Sequence, residues 1–170
     1  MTTLKQSLLI FLAWTSLTAG QSGLAQTANT PGFNAQLIVA ARQADMEGIK
    51  KSLAQGAAPN SRNRLGKTPL YFAVEKNRLD IVQLMLDAGA DVNLASLEKV
   101  TPLIAASYAG NVKIVELLLS KNPRLEETDR MHKSALVYAA GMGHTAIAER
   151  LIEVHLDHWR YLEVHRPAAF

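Results

Sequence analysis

The chain repeats itself every 33 residues, and that interval constrains its fold more than any other property of the sequence. The string GKTPLYFAVEKNRLDIVQLMLDAGADVN occupies 66–93, and KVTPLIAASYAGNVKIVELLLSKNP occupies 99–123. Thr68 and Thr101 stand 33 positions apart. The same step forward reaches Ser134, inside KSALVYAAGMGHTAIAERLI at 133–152. The same step back reaches Ala35, inside NAQLIVAARQADMEGIKKSLAQGAAPN at 34–60. Columns then align across all four registers: Leu37, Leu70, Leu103 and Leu136; Ala40, Ala73, Ala106 and Ala139; Ile49, Val82, Val115 and Ala148; Leu53, Leu86, Leu119 and Ile152. A fixed period of this length belongs to stacked repeat architectures, in which each unit buries its apolar face only against its neighbours.

Each column has a physical reason. Pro69 and Pro102 suit the first turn of a helix, where a missing N–H costs nothing. Thr68, Thr101 and Ser134 stand where a side-chain oxygen caps that helix. The alanine column lets paired helices approach closely. Ile81, Val82, Leu84, Met85 and Leu86 line a second helix, as do Ile114, Val115, Leu117, Leu118 and Leu119. Gly56 and Gly89 suit the left-handed residue that ends a helix, and Asn122 fills that slot in the third copy.

These residues resemble the ankyrin-repeat family. Its T-P-L signature stands at Thr68-Pro69-Leu70 and Thr101-Pro102-Leu103, and its G-A-x-x-N ending at Gly56-Ala57 with Asn60 and Gly89-Ala90 with Asn93. The resemblance covers about residues 33–153. It implies an all-α ankyrin solenoid of about four helix-turn-helix repeats with β-hairpin loops, divided as 33–64, 65–97, 98–130 and 131–154. Where the family usually carries histidine after T-P-L, this chain has Ile38, Tyr71, Ile104 and Val137. The first copy is degraded, with Lys51 and Ser52 in place of apolar residues, as suits an N-terminal cap with a wetter outer face. The fourth has Arg150 in place of leucine and His155 in place of glycine, so its last helix is expected to run on into residues 155–170 as a capping extension. There Leu156, Trp159 and Leu162 are placed to cover the open end of the stack.

Residues 1–25, MTTLKQSLLIFLAWTSLTAGQSGLA, have the layout of a secretory signal peptide: one charge at Lys5, an apolar stretch from Leu8 to Leu17, then small and polar residues. Cleavage after Ala25 places Gly23 and Ala25 at the two recognition positions, with Ala19 or Gly20 as alternative sites. The apolar stretch is about half of the roughly 20 residues that span a bilayer, which argues against a stable membrane anchor after cleavage. Residues 26–32, QTANTPG, read as a linker.

Composition narrows the chemistry. With no cysteine, disulfides, thiol catalysis and zinc knuckles are excluded, and the chain is at ease in an oxidising compartment. A net charge of +3 without a Lys/Arg run gives no footprint for nucleic acid. His155 and His158 lie one helical turn apart beside Asp157, but zinc pairs on helices use a four-residue spacing and a third ligand, so a polar surface on a capping helix is the simpler reading. His144, following Gly143, reads as structural. No carboxylate pair, nucleophile elbow or phosphate-cradling glycine loop stands out, so no catalytic residue and no cofactor is expected.

The family resemblance implies instead that the chain binds another protein as a monomer, through its finger tips and concave face. Carried over copy by copy, the reading positions are Arg64, Leu65 and Lys67 with Glu75 and Lys76; Leu97, Glu98 and Val100 with Tyr108; and Arg130, Met131 and Lys133 with Met142, while Arg42 and Gln43 extend the surface on the first copy. Leu65, Leu97, Val100 and Met131 are apolar where a turn requires no apolar residue, and Arg and Tyr are frequent interface anchors. An apolar strip rimmed by cations suits a partly acidic protein surface. The resemblance to exported bacterial ankyrin proteins implies a periplasmic scaffold that supports an enzyme such as a catalase. An inhibitor of a toxic effector is the alternative, and a metal or small-molecule binder acting through the histidine-bearing tail is a third class.

Overall fold

The structure, a computed structural model, describes residues 31–164, without the side chains of Pro31, His158, Trp159 and residues 161–164. The expected signal peptide and most of the expected linker lie outside these residues. Eight helices follow one another among the described residues: α1 (Pro31–Gln43), α2 (Met46–Ala54), α3 (Pro69–Glu75), α4 (Leu79–Asp87), α5 (Pro102–Ala109), α6 (Val112–Leu119), α7 (Ala135–Gly141) and α8 (Thr145–Val164). The first of them starts at Pro31, inside the stretch read as linker. They form four antiparallel pairs. The first helices stack on one another from α1 through α3 and α5 to α7, and the second helices α4, α6 and α8 form a parallel layer behind them.

Local chemistry starts each pair as the sequence leads one to expect. The Thr68 and Thr101 hydroxyls each accept a hydrogen bond, 3.2 Å long, from the backbone N–H three residues on, and Ser134 accepts a 3.4 Å bond from the N–H of Val137. Pro69 and Pro102 occupy the first turns of α3 and α5. Residues with positive φ fall in three columns, each with the period of the repeat. Ala44, Asn77, Gly110 and Gly143 turn the chain between the helices of a pair. Gly56, Gly89 and Asn122 close the second helices, and Gly66, Lys99 and His132 sit at the finger tips. Side chains also fasten each repeat to the next. Asn60 accepts from the Asp91 N–H and Asn93 from the Arg124 N–H, both at 2.8 Å, so successive loops are pinned together.

The core is built from the columns seen in the sequence, except in the fourth copy, where Leu136 and Ile152 are exposed. Leu37, Ile49, Leu70, Ile81, Met85, Leu103, Ile114, Leu118 and Ile147 are fully buried, and each contributes about 1.5–3 kcal/mol of transfer free energy. Ala40, Ala73, Ala106 and Ala139 lie buried between facing helices. In the N-terminal repeat Lys51 is exposed, but Ser52 is not. It is buried and donates to the Gly48 carbonyl at 2.8 Å, so of the two only Lys51 belongs to the wet face.

Two further expectations are corrected. The β-hairpin loops are tight turns among the described residues; the one bridge there joins Thr128 to Ser134. Their arms are too short for a ladder, and side-chain acceptors close the turns instead. The last helix does continue to Val164, as the missing glycine stop implies. Leu156, however, does not cover the end of the stack, because its side chain is exposed. The side chains of Trp159 and Leu162 lie outside the described residues.

The finger tips and the tyrosine-lined groove

Each finger is built the same way. The backbone of Asn63 donates to the Lys67 carbonyl, that of Ser96 to Val100, and that of Asp129 to Lys133. The same three residues supply the acceptors that close the turns. Asn63 Oδ1 takes the N–H groups of Leu65 and Lys67, each at 2.9 Å. Ser96 Oγ takes that of Glu98 at 3.3 Å, and Asp129 Oδ1 takes those of Met131 and Lys133 at 2.8 and 3.0 Å. With the turn backbone satisfied internally, the tip side chains are free to face solvent. Leu65, Leu97 and Met131 are 60%, 58% and 64% exposed. Arg64, Glu98 and Arg130 are exposed beside them.

Adjacent fingers are joined through the backbone, Leu97 N–H to the Leu65 carbonyl at 2.9 Å and Arg130 N–H to that of Glu98 at 3.2 Å. Gly66 permits the first of these contacts. It is buried at φ +72°, and a Cβ there would stand 2.9 Å from the Leu97 nitrogen. Adjacent fingers are thus tied through their backbones, with the Leu97 side chain close to Gly66, and more than half of each of Leu65, Leu97 and Met131 stays exposed.

Behind the tips runs a groove in two connected parts. The outer part, about 390 Å³, lies among Leu65, Lys67, Tyr71, Leu97, Glu98, Val100 and Arg130. The inner part, about 520 Å³, lies among Tyr71, Glu75, Val100, Ile104, Ala105, Tyr108, Ala109 and Tyr138. These volumes fall in the range of ligand-sized clefts. Tyr108 and Tyr138 meet edge to face with ring centroids 5.6 Å apart, and Tyr108 is largely exposed. Lys133 lies 5.6 Å from the centre of the Tyr138 ring, and Lys67 lies 4.6 Å from that of Tyr71.

Charge in the groove is partly spent internally. Lys67 Nζ pairs with Glu75 at 2.9 Å. Partial burial works against its ammonium, yet the Glu75 carboxylate and the Tyr71 hydroxyl together hold its pKa above the ordinary lysine value. Burial raises Tyr71, against the pull of Lys67. Asp129 receives the Tyr138 hydroxyl as well as the turn N–H groups, and these bonds, led by Tyr138, hold its carboxyl below the usual range.

Most of the residues expected from sequence do come together. Leu65, Lys67, Glu75, Leu97, Glu98, Val100, Tyr108 and Arg130 line the groove. Arg64 and Met131 are exposed on the finger turns and Lys133 lies over the Tyr138 ring, while Lys76 and Met142 stand exposed at the ends of α3 and α7. Arg42 and Gln43 are exposed at the end of α1. Sequence reasoning missed Tyr138 and the floor formed by Ala105 and Ala109. It also missed the turn-closing column of Asn63, Ser96 and Asp129, which the repeat interval alone would have revealed. His144 is structural: its Nε2 lies 3.2 Å from the Tyr108 carbonyl, tying the fourth repeat to the third. His155 pairs with Glu126 at 3.1 Å, and among the described residues no group of three or more His, Asp or Glu is placed to hold a metal ion. No described helix is long and apolar enough to cross a membrane.

The family profile for ankyrin repeats, three copies, matches residues 37–129 and again 89–161. The chain belongs to the ankyrin-repeat family, whose members are in general non-catalytic protein-interaction modules. Among curated proteins it is similar to inversin of Danio rerio, 33% identical over 130 residues, covering 76% of this chain and 9% of that one. It is also similar to the ankyrin repeat protein YahD of Escherichia coli, 39% identical over 59 residues, which is 35% of this chain and 29% of YahD. A third relative, the fowlpox virus ankyrin repeat protein FPV222, is 44% identical over 52 residues, 31% of this chain and 7% of the viral one. The matched stretch thus spans at most 29% of any of these three relatives.

Proposed function

We propose that this chain is an exported, non-catalytic scaffold that grips a partly acidic protein surface with its finger tips and tyrosine-lined groove. The observation that carries the reading is the row of exposed Leu65, Leu97 and Met131 on turns whose backbone bonds are already satisfied. A solvated turn gains nothing from a large apolar side chain, so a partner supplies the cover. Arg64 and Arg130 stand exposed among these apolar tips, and Tyr108 supplies a rigid aromatic anchor. Export rests on Lys5, the short apolar stretch and the small residues at 23 and 25. Support of a periplasmic enzyme, such as a catalase in oxidative-stress defence, is the role that the family resemblance suggests.

Two measurements test this. N-terminal sequencing of periplasmic material should begin at Gln26, or near residue 20; an intact Met1 would rule out cleavage. Affinity capture from periplasm, followed by mass spectrometry, identifies the partner. Leu97→Ser with Tyr108→Ala should then weaken capture by about tenfold or more while leaving the melting curve nearly unchanged. Lys113→Glu, an exposed charge reversal on α6, should be silent. A folded double variant that captures as well as the parent would refute this placement of the site.

A further inference from the structure

The three fingers share a backbone but not a set of side chains. Arg64, Leu97 and Arg130 stand four residues before Thr68, Thr101 and Ser134, so they form one row along the stack. Leu65, Glu98 and Met131 form the row beside it. All six are exposed. Along the stack the first row runs cationic, apolar, cationic, and the second runs apolar, acidic, apolar.

Most other charge at the fingers is spent within the chain. Arg62 donates to the Gly66 and Ala95 carbonyls, and Lys67 pairs with Glu75. Lys133 lies over the Tyr138 ring, and Asp129 takes two turn N–H groups and the Tyr138 hydroxyl. Among the described residues the Arg64 and Arg130 side chains have no such partner. On the central finger Glu98 and Lys99 are exposed, adjacent and of opposite sign. Free positive charge is therefore set at the first and third fingers, with none in excess between them. Neighbouring repeats are about 8–10 Å apart, the spacing of packed helices, which puts these two positions about 16–20 Å apart. Six residues of extended chain cover about 20 Å, and residues two, four and six apart point to the same side. An α-helix, about 10–12 Å across, is too wide to seat in the outer cleft that joins Leu65 to Arg130.

Resting on the fingers as the binding face, we propose that they hold an extended acidic segment of the partner protein. Two of its carboxylates stand six residues apart, with large apolar side chains two and four residues after the first. The carboxylates meet Arg64 and Arg130, since a guanidinium can take a carboxylate through two parallel N–H bonds. The apolar side chains between them lie on Leu97 and against Leu65 and Met131. Glu98 repels a third acid at the centre, so the row selects where charge is placed and not how much there is. Exposed ion pairs add little affinity, which the apolar contacts supply; the charges set register and the choice of partner.

Fluorescence anisotropy with labelled seven-residue peptides tests this on the purified chain. The probe has glutamate at both ends, leucine third, valine fifth and serine elsewhere, with both termini blocked. It should bind with a dissociation constant of about 100 μM or tighter. A peptide of the same composition with its glutamates two residues apart should bind about tenfold more weakly. A third glutamate at the centre should not strengthen binding. Arg64→Glu with Arg130→Glu, both at exposed positions, should keep the parent melting curve and lose about tenfold or more in affinity for the probe. That variant should instead prefer a peptide with lysine at both ends. A probe that does not bind the parent chain overturns the proposal. So does affinity that simply follows the number of acids, or indifference to the two reversals. Capture of the natural partner separates this from the wider reading. A partner lost with Leu97→Ser/Tyr108→Ala but kept by Arg64→Glu/Arg130→Glu overturns the acidic segment alone, and one kept by both variants overturns the binding face as well.

Discussion

Residue by residue, the fingers show one task done with three chemistries. Asn63, Ser96 and Asp129 occupy equivalent positions and all accept turn N–H groups, but only the third carries charge. Asp129 also holds Tyr138, the wall of the groove, so its carboxylate couples a tip to that wall. Because its pKa lies below the ordinary value in the folded state, its contribution to stability is fully present above the unfolded carboxyl value, about pH 4, and is lost as pH falls through the folded value. Melting curves of the chain and of Asp129→Asn should therefore lie furthest apart above about pH 5 and converge in strong acid. A gap that stays constant down to the lowest pH would show that the carboxylate's charge has no part in the turn.

At the level of the helix, the alanine column decides how closely a pair can pack. Ala106 is fully enclosed between α5 and its neighbours, and Ala54, at the end of α2, is open to solvent. Ala106→Leu should cost about 1–3 kcal/mol or more in a denaturant melt, and Ala54→Leu close to nothing. Equal losses would break the alignment on which the repeat boundaries rest. The helices themselves were largely legible in the sequence, because their start signals are local: Thr68, Thr101 and Ser134 cap where the spacing put them. The length of α8 was legible too, from the missing glycine at His155. What Leu156 would cover was not, because that depends on where a helix end lies relative to other repeats, and no spacing encodes it. Tyr138 was missed for a similar reason. Its neighbour Val137 occupies the aligned column after the capping serine, and only the packing of α7 on α5 brings the Tyr138 ring to Tyr108.

For the whole molecule, the parts add along one direction. Each repeat packs on its neighbours helix to helix, and loop-pinning asparagines join the first three, so stability accumulates repeat by repeat rather than around a central core. The backbone bonds from Leu97 to Leu65 and from Arg130 to Glu98 show that the fingers stack at their own natural interval as well. Every finger has two arms, and two hydrogen-bonded arms side by side take up about 9–10 Å. Packed helices take up about 8–10 Å. The two layers are thus commensurate, and neither accumulates phase error against the other as the row grows. Whole copies can be gained or lost with the tips still in step, whereas one residue added within a single finger displaces that tip alone, because every other finger is still set by its own helices.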